Sequence, residues 1–322
     1  MLRAAELSCV RAYPMAATPS DEMLFKVPPR SKEDCPICLM PMPLSELDCT
    51  YSPCCGKFIC HGCMHQKIMV GASSKKLSSL VGKCSFCREP TIVSDKEMIA
   101  RSKKRMAAGD GDAFCFLGMN YNDGLLGLQK NNTKAAELWL KGAALGSIPA
   151  QFQVAVAYDK GLGVERDEKK AVHFYQLAAM GGDVGSRFNL GAREINLGAH
   201  ENDDMIKTGL SRAMEHWKIA AGAGLELALD KIERLLVFDA LTEEEYERVL
   251  GAYLTSRDEM NSAQREMAEK ARKSKPLIQS TSTALSSCSV CGNKTPNAQL
   301  MNCNRCKPSR VTTWLAICVC PR

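Results

Sequence analysis

The residues best placed to do chemistry in this chain are cysteines in pairs. Cys35-Pro36-Ile37-Cys38, the doublet Cys54-Cys55, Cys60-His61-Gly62-Cys63 and Cys84-Ser85-Phe86-Cys87 set eight thiols between residues 35 and 87. A Cys-x2-Cys turn puts two thiolates on one side of a tight loop, the geometry tetrahedral zinc requires. Four such half-sites make two closed structural sites. So short a segment cannot build a self-sufficient core, so metal ligation must supply much of its folding energy. A further set, Cys288, Cys291, Cys303 and Cys306, has eleven residues between its two pairs and suits one more zinc.

Composition narrows the alternatives. Disulfide frameworks belong to secreted chains. Residues 1–30 hold no apolar run long enough for a signal peptide or a membrane span. Seventeen cysteines, most of them clustered at 35–87 and 288–320, argue for metals in a reducing compartment, cytoplasmic or nuclear. A formal charge of +6 without a long basic block implies no nucleic-acid partner, and no membrane partner is expected.

The first cysteine block, within residues 31–93, resembles a RING finger. In that family the first and third ligand pairs share one zinc, and the second and fourth share another. The resemblance implies Cys35, Cys38, Cys60 and Cys63 at the first metal, and Cys54, Cys55, Cys84 and Cys87 at the second. Adjacent ligands on one metal are tight, so Cys49 is the alternative third ligand. Lys57 stands where many RINGs carry a histidine, and an ammonium has no lone pair to donate. RING ubiquitin ligases dock a conjugating enzyme on the apolar residue between the first two ligands, here Ile37. A cation after the last ligand, here Arg88, holds the ubiquitin thioester in a reactive pose. Such catalysis is positioning alone. The proline common between the last two ligands is absent, with Ser85 and Phe86 in that interval. The cysteines of 288–322, with Leu300, Asn302 and Lys307, resemble the front half of a MYND finger. Only Cys318 and Cys320 follow, so a truncated finger with one zinc is expected.

The elements that must carry these sites are mostly helical. Residues 1–30, with a second potential start at Met15, read as an unstructured lead. Residues 94–111 read as a connecting helix capped by Ser94 or Asp95. A repeat follows. Trp139, Tyr175 and Trp217 recur at offsets of 36 and 42, and the same offsets relate Ala135, Ala171 and Ala213. Within each copy apolar and small residues recur at i, i+3, i+4 and i+7, one stripe of an amphipathic helix. His216 falls on that stripe in copy three and reads as a satisfied structural histidine. Asp167 is a good N-cap, and Thr242 to Glu245 form a capping box.

The copies over 112–224 resemble the Sel-one-like repeat, a helix-turn-helix relative of the tetratricopeptide repeat. Copy two matches most fully, and copy three departs with extra residues around His200–Thr208 and with Glu194 in place of a tyrosine. Residues 225–275 read as a helical cap on the stack and 276–287 as a flexible linker. The expected fold is therefore mainly α: a small zinc-stabilised RING finger, an α/α solenoid and a short C-terminal zinc finger. The expected function is a RING-type ubiquitin ligase whose solenoid recruits a protein substrate. The alternative is a non-catalytic zinc-binding scaffold.

Overall fold

The computed structural model describes residues 19–26, 34–44, 48–73, 82–90, 94–198, 203–236 and 241–274, with short strands at 286–287 and 294–295. Met1–Arg272 form one unit and Lys273–Arg322 another. The architecture is mainly helical, with a helical-repeat solenoid following a cysteine-rich region that has few strands.

The first unit opens with a single helical turn, α1 (Asp21–Leu24). Strands β1 (Cys49–Ser52) and β2 (Lys57–Cys60) pair antiparallel, with Cys49 opposite Cys60, and lead into α2 (His61–Ser73). Helix α3 (Asp95–Ala107) starts at Ser94, whose hydroxyl accepts from the Glu97 amide; Asp95 lies inside the helix. The solenoid is three packed helix pairs: α4 (Gly111–Asp123) with α5 (Asn132–Ala144), α6 (Ile148–Lys160) with α7 (Glu168–Met180), and α8 (Val184–Gly198) with α9 (Asp203–Gly222). Helices α10 (Glu226–Leu236), α11 (Glu243–Met260) and α12 (Ala263–Ser274) complete the unit. Asp167 caps α7, and Thr242 with Glu245 forms the reciprocal capping box of α11. The extra residues of copy three lengthen its helices, α9 reaching 20 residues against 13 for α5 and α7.

The repeat's conserved spacing has a packing cause. Trp139, Tyr175 and Trp217 are all buried. A Cβ at Gly118 would stand 2.5 Å from Trp139 Nε1, and one at Gly191 the same distance from Trp217 Nε1. Only hydrogen fits between helix and indole there. Copy two carries the smaller Tyr175, and at the position equivalent to those glycines it carries buried Ala155.

Two expectations are corrected within this unit. Residues 19–26, part of the expected unstructured lead, are ordered against the solenoid, with Leu24 1% exposed. Burial of Leu24 and Phe25 outweighs the aperiodic mix of Ala, Pro, Ser and Met that suggested disorder. The expected cap of the stack also divides. Helix α12 packs on the cysteine-rich module, because its Arg265 reaches the Pro41 carbonyl and the Cys38 thiol there. In the second unit β3 (Ser286–Ser287) pairs antiparallel with β4 (Lys294–Thr295). Cys288, Cys291, Cys303 and Cys306 lie outside the described residues.

Candidate metal centres

Two turns of the same construction present the outer cysteine pairs. The Leu39 amide donates to the Cys35 carbonyl at 2.8 Å, and the Arg88 amide donates to the Cys84 carbonyl at 3.2 Å. The Cys35 amide then donates to the Met40 carbonyl, and the Cys84 amide to that of Glu89. Each turn closes on a non-glycine in the left-handed region, Leu39 at φ 57° and Arg88 at φ 64°. That conformation costs an L-residue roughly 1–2 kcal/mol. The cost lies where two thiols must be turned to one side.

The inner cysteines come from the hairpin and the helix after it. Cys54 and Cys55 occupy the β1–β2 turn, where the amides of Cys55 and Gly56 both donate to the Ser52 carbonyl. Gly56 takes φ 71° in that turn, where Arg105 and Asp110 also pack too closely for a Cβ. Cys60 ends β2, and Cys63 lies in the first turn of α2.

Together these elements gather two quartets. Cys35, Cys38, Cys60 and Cys63 form one, and Cys54, Cys55, Cys84 and Cys87 the other, each with its sulfurs within 4.8 Å of one another. In the first, Sγ of Cys35 and Cys63 are 3.9 Å apart, as are those of Cys38 and Cys60. Tetrahedral Zn–S bonds of about 2.3 Å would separate sulfurs by about 3.8 Å. Donor set and spacing both fit, so each quartet could hold a zinc ion. Cys49 belongs to neither group; it faces Cys60 across the hairpin and packs in the module's core. His61 is turned to the Thr50 hydroxyl at 3.1 Å.

The thiols feel one another. Burial opposes the thiolate at Cys35, yet backbone donors at Cys38, Cys60 and Ile37 outweigh it and bring the thiol down to about 7. At Cys84 burial is likewise outweighed by the amides of Cys87 and Phe86, and the thiol falls to about 7. Burial and neighbouring sulfurs push Cys54 and Cys63 well up, and burial takes Cys55 to about 11. One thiolate per quartet repels further ionisation of the rest. A dication inverts that balance by binding all four as thiolates.

Two contacts that no local pattern signalled tie this module to the helices. The Tyr51 hydroxyl donates to Asp110 Oδ2 at 2.7 Å, and Arg105 donates to the same oxygen at 2.8 Å. Asp110 Oδ1 meanwhile accepts from the Asp112 and Ala113 amides as the N-cap of α4. One carboxylate thus joins the hairpin to the start of the solenoid. On the other side Arg265 donates to the Pro41 carbonyl at 2.7 Å and to Cys38 Sγ at 3.7 Å. The turn before Cys63 admits this approach because a Cβ on Gly62 would meet the Arg265 backbone. The partnership of Asp110 with Tyr51 spans fifty-nine residues of sequence. Ile37 and Arg88 both stand exposed on their turns, Ile37 at 41%.

With this geometry in hand, comparison with known proteins places the solenoid. Residues 112–147 and 148–183 match the Sel1 repeat family model, so copies one and two are Sel1 repeats. The match lies outside the cysteine quartets. Protein SHC1 of Saccharomyces cerevisiae is 33% identical over 132 residues, covering 38% of this chain and 25% of that protein. Chitin synthase regulatory factor 2 of Schizosaccharomyces pombe is 31% identical over 78 residues, 24% of this chain and 15% of that protein. The chain thus spans a quarter or less of the length of these curated relatives. Among solved structures, a Sel1 repeat protein from Oxalobacter formigenes aligns with 66% of this chain and 79% of its own, at 19% identity and a TM-score of 0.42. The antigen c5321 of uropathogenic Escherichia coli, described as displaying an SLR fold, aligns with 66% of this chain and 55% of its own, at 18% identity and a TM-score of 0.35.

Proposed function

We propose that this protein is a Sel1-repeat interaction scaffold carrying a RING-type ubiquitin ligase module. Zinc would sit at both cysteine quartets, with one further zinc at Cys288, Cys291, Cys303 and Cys306. The observation that carries the reading is the pair of matched turns. Each buries or half-buries its thiols yet leaves the apolar residue before its second cysteine in water, Ile37 at 41% and Phe86 at 46% exposure. A module this small would cover those side chains if stability were their purpose, and apolar surface left beside a rigid metal centre suits a partner. Helix α2 adds Ile68, Met69 and Val70, also exposed. On this reading Ile37 docks a ubiquitin-conjugating enzyme, and Arg88 reaches the ubiquitin it carries. Zinc would hold the two turns in register and take no part in bond making. The solenoid would recruit the protein to be modified, in the cytoplasm or nucleus.

Lys57 and Ser85 favour a second reading, a non-catalytic zinc-binding scaffold, because they stand where many RINGs carry a ligand histidine and a proline. One experiment separates the two. The full chain is incubated with ubiquitin, activating enzyme and a panel of conjugating enzymes, alongside Ile37→Ala, with bound zinc counted in both. Ubiquitin chains formed by the wild type, reduced about tenfold or more in the variant at equal zinc content, are expected for a truncated docking residue. Two intact zinc sites in the cysteine-rich module with no transfer by any conjugating enzyme would leave the scaffold.

A further inference from the structure

The third repeat departs from the first two at particular positions, and those positions meet in one place. His216 occupies the site that holds Phe174 in copy two and Leu138 in copy one. Arg187 replaces Gln151, and Glu194 replaces Tyr158. In copies one and two a lysine lies over the tyrosine, Lys134 over Tyr121 at 4.6 Å and Lys170 over Tyr158 at 5.2 Å. Copy three exchanges that pair for Arg212 and Glu194, joined at 3.1 Å. Arg187, Arg212 and His216 then converge on residues 21–26.

The seated segment is recognised on one face. Helix α1 presents Asp21, Leu24 and Phe25 at i, i+3 and i+4. Asp21 pairs with Arg212, and Leu24 is buried beside α7. The Phe25 ring lies 4.9 Å from His216 and 5.3 Å from the Arg212 guanidinium. Arg187, 1% exposed, donates to the Leu24 carbonyl and, at 3.4 Å, to that of Lys26. Yet the fit is incomplete. Arg187 Nε and both ring nitrogens of the fully buried His216 have no hydrogen-bond partner. This corrects the expectation of a satisfied histidine. Burial and the two arginines push the imidazole down to about 3, so it is neutral and able both to donate and to accept. A permanent structural cover would satisfy such groups, since buried polar atoms without partners are costly.

We propose that the third repeat, with α7 of the second beside it, is a docking site for a partner protein's short helical turn of the pattern acid-x-x-Leu-aromatic, and that residues 20–26 occupy it in cis. An amphipathic turn laid in a groove, with an acid to meet the arginines, is a recurrent mode of peptide recognition. The cis segment competes with the partner, lowering apparent affinity by the fraction of chains whose groove is free. The inference deepens the recruiting half of the function proposed above by naming the partner's chemistry. It holds whether or not the zinc module transfers ubiquitin.

The test uses a fluorescent peptide of residues 17–28 as probe and the full chain, with no ubiquitin component. Anisotropy is measured for the wild type and for Leu24→Ala/Phe25→Ala, which removes the cis segment's two apolar anchors and alters no residue of the solenoid helices. The freed chain is expected to bind the probe about tenfold or more tighter than the wild type, the gain expected from removing a cis competitor. Arg187→Gln, the residue copy two carries, in the freed chain should lose that gain, as should a probe with Asp21→Lys. Circular dichroism melting checks that each chain is folded. If the double variant does not fold, Asp21→Lys in the full chain weakens the cis segment at an exposed position and takes its place. A folded, freed chain that does not bind the probe, or binds it equally well with Arg187→Gln, overturns the proposal. So does probe binding that appears only with dimerisation in sedimentation, which would assign the groove to a second copy.

Discussion

At the scale of single residues, the repeat is held by a size rule between two positions on facing helices. Gly118 and Gly191 lie against the indoles of Trp139 and Trp217, whereas copy two pairs Ala155 with Tyr175. Adding one methyl at Gly118 forces the indole or the helix to move, and overpacking of this kind costs about 1–3 kcal/mol. Gly118→Ala is therefore expected to lower stability by that amount in urea denaturation. In the background of Trp139→Tyr, which recreates copy two's pair, the same alanine should cost much less. Equal costs in both backgrounds would show that the indole is not what excludes the methyl. The recurrence of Trp139, Tyr175 and Trp217 was readable as a pattern. Its reason was not, because the contact closes between helices.

At the scale of elements, α12 behaves differently from the cap its sequence suggested. It is strongly charged, with only Ala268 buried, and such a helix gains little from a solenoid face. It gains more from electrostatics at the cysteine-rich module. Arg265 reaches Cys38 and Pro41, and Arg272 lies 3.7 Å from Asp48. With zinc in the first quartet, as proposed, four thiolates would leave a net charge of about −2, which favours a guanidinium beside them. Arg265→Ala is expected to loosen α12 from the module by about 1.5–3 kcal/mol, the range for charge-assisted hydrogen bonds. Hydrogen exchange should then quicken at residues 35–42 and 263–274 and remain unchanged across α6 and α7. Uniformly faster exchange would mean that Arg265 supports the whole unit. Arginine and carbonyl partners more than 200 residues apart leave no local trace, which is why the sequence suggested a cap.

At the scale of the molecule, two sources of stability meet at Asp110. The solenoid buries a continuous apolar core from Leu24 to Leu190, whereas the cysteine-rich module buries a few residues around its thiols. If zinc fills the two quartets as proposed, its removal by a chelator is expected to unfold residues 34–44, 48–73 and 82–90 while the solenoid keeps its helical circular dichroism, losing only the α2 contribution. Because Tyr51 and the α4 N-cap share one carboxylate, amide exchange at Asp112 and Ala113 should rise as well. A single cooperative loss of all helical signal on chelation would show that the module and solenoid fold as one.

What the sequence determined by itself were the features written in short periods. Cysteine pairs three apart, the stripe at i, i+3, i+4 and i+7, and caps such as Asp167 and Thr242 each act within a few residues, so composition and spacing suffice to read them. The helical repeat, helix starts and the Cys-x2-Cys turns belong to that class, whereas which thiol pairs meet was implied by the RING resemblance. The tertiary structure decided which distant groups would meet. It set residues 21–25 against the third repeat, turned Arg265 back to Cys38 and left both ring nitrogens of His216 buried without a hydrogen bond. Those outcomes depend on burial and charge summed over surfaces built from separate parts of the chain, and no window of sequence contains both sides of such a surface.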